Sequence, residues 1–340
     1  MLSNKNTNHY FLHAGWYTIL TAQTNESNIK IAESYKNIKA NDEGEYDIRL
    51  LRMLHSELIE NDQNFQMSIQ AAKHFTPFTF GCYSIALSTC RSLYDFLKIT
   101  CDNFIYIAPQ INLSLNQNND EIEIIFIQNP FPKDSRVTKS GYIIVICTLL
   151  EMMRNLNNKK AIPFQLYAPD LNYNESEKNY LKQRYNCTKL INKKVIKLTF
   201  KEKDLIPTVE NYHPEIHYHN LTFVHQRVEN LKKSDICLQI CNIFEQCKSL
   251  KDINANYVAQ QLHISPRTLI RRLASVNTSF TSTLDCYRLN KAIRLLKKPE
   301  ISMTEITYQL GFSELSSFSR AFKRWTGNPP TKLHNSSMKE

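Results

Sequence analysis

The spacing of apolar residues changes along the chain, and these changes predict where helices and strands lie. Apolar positions recur at helical spacing within 46–59 and 93–99, whereas residues 111–115 and 122–126 alternate apolar with polar side chains. The polar stretch 116–120 between the two alternating runs predicts a β-hairpin. The early part of the chain therefore mixes helices with short strands.

The same mixture continues to about residue 200. Residues 141–156 are apolar on most faces and predict a buried helix, while 164–167 and 195–200 predict strands. Another helix is predicted to end at 180–185, and the polar stretch 25–45 predicts loops or a frayed helix. The first two thirds of the chain therefore predict an α+β fold with more helices than strands.

The last third has helical spacing only, and its clearest pattern lies within 301–333. Ile306 and Leu310 share one face of a first helix, and Gly311 then allows a turn that a β-carbon would strain. Ser313 stands where the N-cap of a second helix is expected. The pattern predicts helix, tight turn, helix.

The second helix of this pattern has two contrasting faces. Phe318, Phe322 and Trp325 form an apolar stripe, and the opposite face is basic and rich in hydroxyl groups. Gly327 and the prolines at 329–330 end the helix. One buried face and one basic face suit a helix that enters the major groove of DNA. An ordinary helical hairpin with a solvated basic face is the alternative interpretation.

An earlier segment repeats this pattern. The numbering offset between the two copies is 48 before the turn and 49 after it, so one residue is inserted at the start of the second recognition helix. The aligned apolar pairs are Val258 with Ile306, Leu262 with Leu310, Ile264 with Phe312, Leu269 with Phe318, Leu273 with Phe322 and Val276 with Trp325. Arg271 and Arg320 take equivalent outward positions, which a mere hairpin does not explain.

One long helix is predicted between the two copies, over residues 280–298. At 1.5 Å per residue it is roughly 28 Å long. That length is close to the ~34 Å between successive major grooves on one face of DNA. A monomer is therefore expected to place both recognition helices in neighbouring grooves.

The length and charge of the chain fit this division. A chain of 340 residues with 42% hydrophobic residues is long enough for two domains. The net charge is +10, and the stretch 234–340 holds 15 Lys and Arg against 8 Asp and Glu. We expect an α+β effector-binding or dimerisation domain at 1–225, a linker at 226–234, and an all-α DNA-binding domain at 235–337. The positive charge of the last part favours a polyanionic partner.

Other features narrow the location and the chemistry. The polar N-terminus lacks the order of a signal peptide, and the longest apolar run, 142–150, is too short to span a bilayer, so a cytoplasmic protein without membrane contact is predicted. The nine cysteines have no disulfide spacing and are expected to be reduced. His213, His217, His219 and His225 have no completing Cys or acidic partner, so a linker or strand edge is favoured over a metal site, and no cofactor is predicted.

The outer faces of the two predicted recognition helices supply the candidate DNA contacts. These residues are Arg267, Thr268, Ile270, Arg271, Ser316, Ser319, Arg320 and Lys323. Arginine is suited to bidentate contact with guanine, and an apolar Ile270 suits a thymine methyl group. Thr268 lies nearer the helix flank, where contact with the phosphate backbone is expected.

These C-terminal residues resemble the AraC/XylS family of bacterial transcription regulators. The resemblance is carried by SPRTLIRRL at 265–273, by the long connecting helix and by residues 301–330. It implies a domain with two helix-turn-helix motifs that controls promoters. His263 stands where the first motif of the family often has glycine, so a slightly different turn is expected there.

The N-terminal part is similar to the arabinose-binding-type regulatory domain of the same family. Residues 78–99 and 193–208 carry this looser resemblance. The name of that domain implies a sugar, but members of the subgroup answer to diverse signals. The resemblance therefore assigns no ligand-contacting residue.

Together these patterns predict a sequence-specific DNA-binding transcription regulator that acts as an activator and is not an enzyme. The expected partners are double-stranded promoter DNA and RNA polymerase, with a small-molecule effector and a homodimer left open. One alternative is a ligand-independent regulator whose N-terminal domain only binds protein. Another is an Ada-like alkyl-accepting or thiol-redox protein, but Cys82, Cys90 and Cys101 lack the paired spacing of a metal-activated thiolate.

Overall fold

The structure is a computed structural model, and it divides into two compact units. The residues that it describes are 11–22, 26–62, 66–118, 120–128, 137–169, 174–193, 195–210, 212–275, 278–296, 300–326 and 329–331. The N-terminal unit contains the described residues up to Glu229 except Gln128, and the C-terminal unit contains Gln128 and those from Asn230 onward.

The N-terminal unit combines helices with strands. Its strands are β1 (Phe11–His13), β2 (Glu45–Asp47), β3 (Ile111–Asn118), β4 (Glu121–Gln128), β5 (Phe164–Ala168), β6 (Cys187–Asn192) and β7 (Ile196–Lys201). Its helices are α1 (Ala14–Thr21), α2 (Glu26–Ser34), α3 (Ile48–Asp62), α4 (Gln66–Ala71), α5 (Cys82–Ser88), α6 (Leu93–Asn103), α7 (Lys139–Leu156), α8 (Glu175–Tyr185) and most of α9 (Pro214–Ser234).

The described part of the C-terminal unit is helical. Its helices are α10 (Ile236–Gln246), α11 (Ala255–Gln261), α12 (Pro266–Ser275), α13 (Phe280–Leu295), α14 (Met303–Gln309) and α15 (Leu315–Thr326). An α+β part followed by an all-α part is the predicted fold class, and this prediction is confirmed.

Five strands of the N-terminal unit form one sheet with the order β3-β4-β7-β5-β6. Strands β3 and β4 are neighbours, in keeping with the predicted hairpin. Strand β7 pairs antiparallel with β4 and with β5, and Leu198 lies opposite both Ile124 and Leu166. Strand β6 pairs parallel with β5 at the edge of the sheet.

Helix α7 lies at the centre of the N-terminal core. Its residues from Ile143 to Met153 are all buried, because its side chains are apolar around most of the helix. The Thr138 side chain accepts a hydrogen bond from the Gly141 amide and caps its first turn. Helices α4, α5 and α6 pack against it.

The structure differs from the predicted elements mainly at the start of the chain and near Pro214. Helix α1, with Trp16 buried, was not anticipated, and α2 lies in the stretch 25–45, for which loops or a frayed helix were predicted. Pro214 is the first residue of α9, where a proline loses no intrahelical hydrogen bond. The predicted linker 226–234 lies within this helix, and the three-part division stays a prediction.

The connecting helix α13 is shorter than predicted. It ends at Leu295 with Leu296 as its C-cap, so its 16 residues are roughly 24 Å long instead of 28 Å. Residues 297–298, the end of the predicted span, lie outside the described residues, as do Val276 and Gly327. Over the ranges that the structure describes, no helix combines the length and the apolar character needed to cross a membrane.

Candidate nucleic-acid interface

The C-terminal unit contains two helix-turn-helix motifs of matching construction. In the first, Val258 of α11 and Leu269 and Leu273 of α12 are fully buried. In the second, Ile306 of α14 and Phe318 and Phe322 of α15 are buried in the same way. Helix α11 is capped by the Asn254 side chain and α14 by the Ser302 side chain, one at each equivalent position.

The two turns have the same backbone hydrogen bonds at equivalent positions of the repeat. In the first pair, His263 N donates to Gln260 O at 3.0 Å and Gly311 N donates to Tyr308 O at 2.9 Å. In the second pair, Ile264 N donates to Ala259 O at 3.0 Å and Phe312 N donates to Thr307 O at 3.1 Å. Both bonds of the second pair span six residues, as in a Schellman motif. The predicted repeat therefore extends to the backbone of the turn.

The slight difference expected for the turn at His263 is limited to its φ angle among the features that the two turns share. His263 has a φ of 53° and Gly311 a φ of 74°, so both residues adopt the left-handed conformation. A histidine can take this conformation at a cost of roughly 1–2 kcal/mol, whereas glycine takes it freely. The first motif keeps the turn without its glycine.

The two recognition helices start at different distances from their turns. Ser265 is the N-cap of α12. Its hydroxyl accepts a hydrogen bond from Thr268 N at 3.1 Å, and its carbonyl oxygen accepts a hydrogen bond from Leu269 N at 3.0 Å. In the second motif the carbonyl of Glu314 accepts the equivalent bond from Phe318 N at 3.2 Å. Glu314 thus lies immediately before α15, whereas Ser313 was predicted as the N-cap. The inserted residue lies in the turn.

The eight predicted contact residues lie on the outer faces of α12 and α15. Six side chains are exposed, and Thr268 and Ser319 are half-buried. The exposed six are Arg267, Ile270, Arg271, Ser316, Arg320 and Lys323. Their contact with DNA stays a prediction.

Some of these polar groups bind neighbours on their own helix. Thr268 Oγ1 lies 2.9 Å from Ser265 Oγ, and Arg320 donates to Ser317 Oγ at 3.3 Å. The first contact turns the Thr268 hydroxyl towards the helix cap, in keeping with a position at the flank. Arg272 and Leu315 are also exposed on the two helices, although their places in the repeat did not single them out.

A cluster around Asp285 connects helix α13 to the second motif. Arg288 donates from Nε to the Leu310 carbonyl at 2.9 Å, and its guanidinium lies 4.9 Å from the centre of the Phe312 ring. Burial lowers the pKa of Arg288, and the nearby Asp285 carboxylate opposes this shift. Arg324 of α15 also reaches Asp285, at 3.2 Å. Helix α13 therefore holds both the turn and the recognition helix of the second motif.

The histidines of 213–225 form no metal site that the structure shows. Within the described ranges, no three His, Cys, Asp or Glu side chains are placed to hold a metal ion together. His217 Nδ1 lies 2.8 Å from the Ala86 carbonyl oxygen and 4.0 Å from Cys90 Sγ. Three of the four histidines lie on α9, which replaces the predicted linker or strand edge.

The geometry defines the C-terminal unit as a double helix-turn-helix domain. Residues 258–336 match the protein family model described as a helix-turn-helix domain. The domain is of the AraC/XylS type, and the resemblance predicted for this part of the chain is confirmed.

Similarity to individual curated proteins extends over a part of the chain. The chain is 43% identical over 75 residues to an uncharacterized HTH-type transcriptional regulator, Mb1430, of Mycobacterium bovis, covering 22% of each chain. It is 37% identical over 98 residues to the HTH-type transcriptional activator RhaS of Escherichia coli, covering 28% of this chain and 35% of that one. The matched segment thus spans about a fifth to a third of the length of these relatives.

A solved structure also overlaps with most of the chain. The transcriptional regulator CdpR from Pseudomonas aeruginosa aligns with 92% of this chain and 99% of its own, at 18% identity and a TM-score of 0.43. The similarity to the arabinose-binding-type domain stays a prediction for the N-terminal unit.

Proposed function

We propose that the protein is a sequence-specific DNA-binding transcription regulator that acts as an activator. The observation that carries the proposal is the pair of matched motifs, each with an outward arginine, Arg271 on α12 and Arg320 on α15. Their turns have the same backbone hydrogen bonds at equivalent positions, which supports a shared role for the two motifs. Regulator and activator are also the names given to two relatives that match part of the chain.

The groove-facing residues divide by chemistry into two sets. Arg267, Arg271, Arg320 and Lys323 supply positive charge, and an arginine that binds guanine O6 and N7 discriminates between base pairs. Ile270 has 57% of its surface exposed, which suits contact with a thymine methyl group. Ser316 and Ser319 provide hydroxyl groups for bases or phosphates. Thr268 is assigned to the phosphate backbone.

Substitution of the two matched arginines tests this proposal. DNA segments bound in cells are first mapped across the genome, and the affinity of the full chain for one such segment is then measured by fluorescence anisotropy. We expect Arg271→Ala and Arg320→Ala each to weaken binding by about 1–3 kcal/mol, because each removes a charged contact with a base or phosphate.

Two controls make the result specific. Arg91→Ala removes an exposed arginine from the N-terminal unit and is expected to leave the affinity unchanged. Lys323→Ala is expected to weaken binding to all sequences alike and to lower the salt dependence, as loss of a phosphate contact does. Unchanged affinity in both the Arg271 and Arg320 variants contradicts the assignment of the site.

The remaining partners belong to the same proposal. An activator bound at a promoter acts on RNA polymerase, and a regulator of this kind works in the cytoplasm, where its DNA is. The N-terminal unit then serves to sense a small molecule or to form a homodimer. A ligand-free protein-interaction role for this unit is the second candidate. The apolar residues of α7 are buried within its own core and therefore do not argue for that role.

A non-enzymatic role is also part of the proposal. The Ada-like alternative needs a thiolate, and burial raises the pKa of the thiols of Cys90, Cys101 and Cys147. Burial raises the pKa of Cys187 to about 11. Cys90 lies near His217, but its thiol is buried and also faces the Ala86 carbonyl at 3.5 Å. These environments favour inert thiols.

A further inference from the structure

The N-terminal unit contains a small cavity where the C-terminal ends of α7 and α8 lie close together. Its walls come from Leu93 at the start of α6, from the last turns of α7, from residues 160–162 and from Tyr185 at the end of α8. It has about 220 Å³ of empty space, counting its open mouth, which is below the roughly 300–1,000 Å³ of small-molecule sites. An organic effector of that size does not fit, whereas a small ion or a water molecule does.

Two guanidinium groups share one carboxylate at the wall of this cavity. Glu151 of α7 is buried, and it accepts hydrogen bonds from Arg154 Nη1 at 3.0 Å and from Arg184 Nε at 2.7 Å. The three side chains together therefore have one positive charge in excess. The side chain of Arg154 is only 14% exposed, so water screens this charge weakly.

Arg154 has one N–H group that the protein does not use. Its Nη1 atom binds Glu151, and its Nη2 atom donates to the Lys159 carbonyl at 3.1 Å. Its Nε atom is buried and has no hydrogen-bond partner among the residues that the structure describes. Buried N–H groups are almost always paired, so this donor indicates an acceptor that the described chain does not supply.

Tyr185 provides a second donor to the same cavity. It is 1% exposed, and its hydroxyl forms no hydrogen bond within the described part of the chain, although Glu151 lies nearby. Burial, with the Cys147 thiol and the Glu151 carboxylate close by, raises the pKa of Tyr185, so the hydroxyl stays protonated and can donate. Lys160, which is exposed, adds a further positive charge to the wall. The polar side chains of the wall thus supply donors and positive charge.

We propose that this cavity binds a small inorganic monoanion such as chloride, which accepts hydrogen bonds from Arg154 Nε and the Tyr185 hydroxyl. One negative charge balances the excess charge of the buried cluster. A water molecule accepts the same hydrogen bonds but leaves that charge unbalanced. A dianion brings a second charge against the apolar side chains of Leu150 and Ile162, which is unfavourable. The proposal concerns the N-terminal unit and does not rest on the proposed contacts with DNA.

Thermal unfolding of the full chain in mixtures of sodium chloride and sodium gluconate, at constant ionic strength, tests this proposal. Gluconate is also a monoanion but is too large for the cavity. Because a ligand that binds only the folded state raises stability, chloride should raise the midpoint of unfolding saturably, by roughly 2–4 °C. Equal midpoints in the two salts would mean that the cavity holds water alone, and this result overturns the proposal.

Two tyrosines of α8 provide matched variants. Tyr185→Phe should lose most of the chloride shift, while its midpoint in gluconate stays the same or rises, because the variant lacks an unpaired buried hydroxyl. The Tyr180 hydroxyl is also buried without a described partner, but Tyr180 does not line the cavity. Tyr180→Phe should therefore keep the full chloride shift. Ala161→Leu places a larger side chain in the cavity wall and should abolish the shift, which decides the question if Tyr185→Phe does not fold.

Broadening of the chlorine NMR signal measures the binding directly. The unmodified chain should broaden this signal more than the Ala161→Leu variant does, and bromide should reverse the difference by competition. The proposal is overturned if Tyr185→Phe or Ala161→Leu keeps the full chloride shift, or if Tyr180→Phe loses as much of it as Tyr185→Phe. Equal broadening by the unmodified chain and Ala161→Leu contradicts it as well.

Discussion

The two helix-turn-helix motifs reach the same turn with different residues. His263 and Gly311 occupy equivalent positions, both have positive φ angles, and the hydrogen bonds around them have nearly the same lengths. The comparison shows that the backbone pattern of the turn is set by the flanking helices and their buried apolar residues. A glycine is therefore not required for the left-handed conformation at this position, since His263 adopts it as well.

The surroundings of the two turns explain why only one of them keeps glycine. A β-carbon at Gly311 would lie closer than 3.0 Å to the carbonyl group of Leu250 and to the amide nitrogen of Lys251. Leu250 N also donates to the Gln309 carbonyl at 3.2 Å, which holds this backbone against the turn. His263, in contrast, is exposed. The second turn therefore needs glycine for close approach as well as for its φ angle.

The largest expected effect comes from Gly311→Ala. This change adds the cost of a left-handed alanine to a clash with backbone atoms, and we expect it to lower the free energy of unfolding by about 3 kcal/mol. Urea denaturation of the full chain, followed by circular dichroism, measures it. His263→Ala is the matched control and should change stability by less than about 0.5 kcal/mol. Equal losses in the two variants would show that the approach of Leu250 is unimportant.

An intermediate effect is expected at Arg288, whose bond to the Leu310 carbonyl has no counterpart described for the first motif. Arg288→Ala removes a charged donor from a buried carbonyl, which costs about 2 kcal/mol. The same denaturation experiment measures the loss. Arg294→Ala on the same helix breaks a more exposed ion pair with Glu245 and should cost less than about 1 kcal/mol. An Arg288 loss no larger than that of Arg294 speaks against its role at the turn.

The smallest effect is a gain in stability at the first turn. His263→Gly removes the strain of a left-handed histidine but adds freedom to the unfolded chain, so a net stabilisation of about 0.5 kcal/mol is expected. The midpoint of urea denaturation should rise accordingly. Ala274→Gly, at an exposed position within α12, should instead destabilise by about 1 kcal/mol. A loss of stability in His263→Gly would mean that the histidine side chain itself supports the turn.

The C-terminal unit was largely predictable because its signals are local and repeated. The alignment of the two copies, with its shift by one position after the turn, corresponds to the observed starts of α11 and α14 and of α12 and α15. The position of the N-cap in the second motif was missed by one residue, since Ser313 and Glu314 both stand before the helix. The Arg288 contact was not predictable, because periodicity does not say which carbonyl a long side chain reaches.

The N-terminal unit was less predictable for physical reasons. Strand β6 lies at the edge of the sheet and is exposed at the consecutive positions Thr188 and Lys189, so it lacks the apolar alternation of β3 and β4. The sheet order joins strands that are far apart in sequence. An apolar cavity in this unit depends on the same long-range arrangement, since its lining residues Arg52, Gln110 and Val145 come from distant parts of the chain.

The extra residue in the second turn has a consequence for recombination between the motifs. Residues 266–275 and 315–324 are the units that correspond, because the added residue is accommodated before α15 begins. An exchange of these decapeptides keeps each turn at its own length and keeps Arg271 and Arg320 in register with the buried leucine and phenylalanine positions. An exchange that includes the turn moves the added residue into the other motif. The outward faces of α12 and α15 can thus be exchanged without changing the length of either turn.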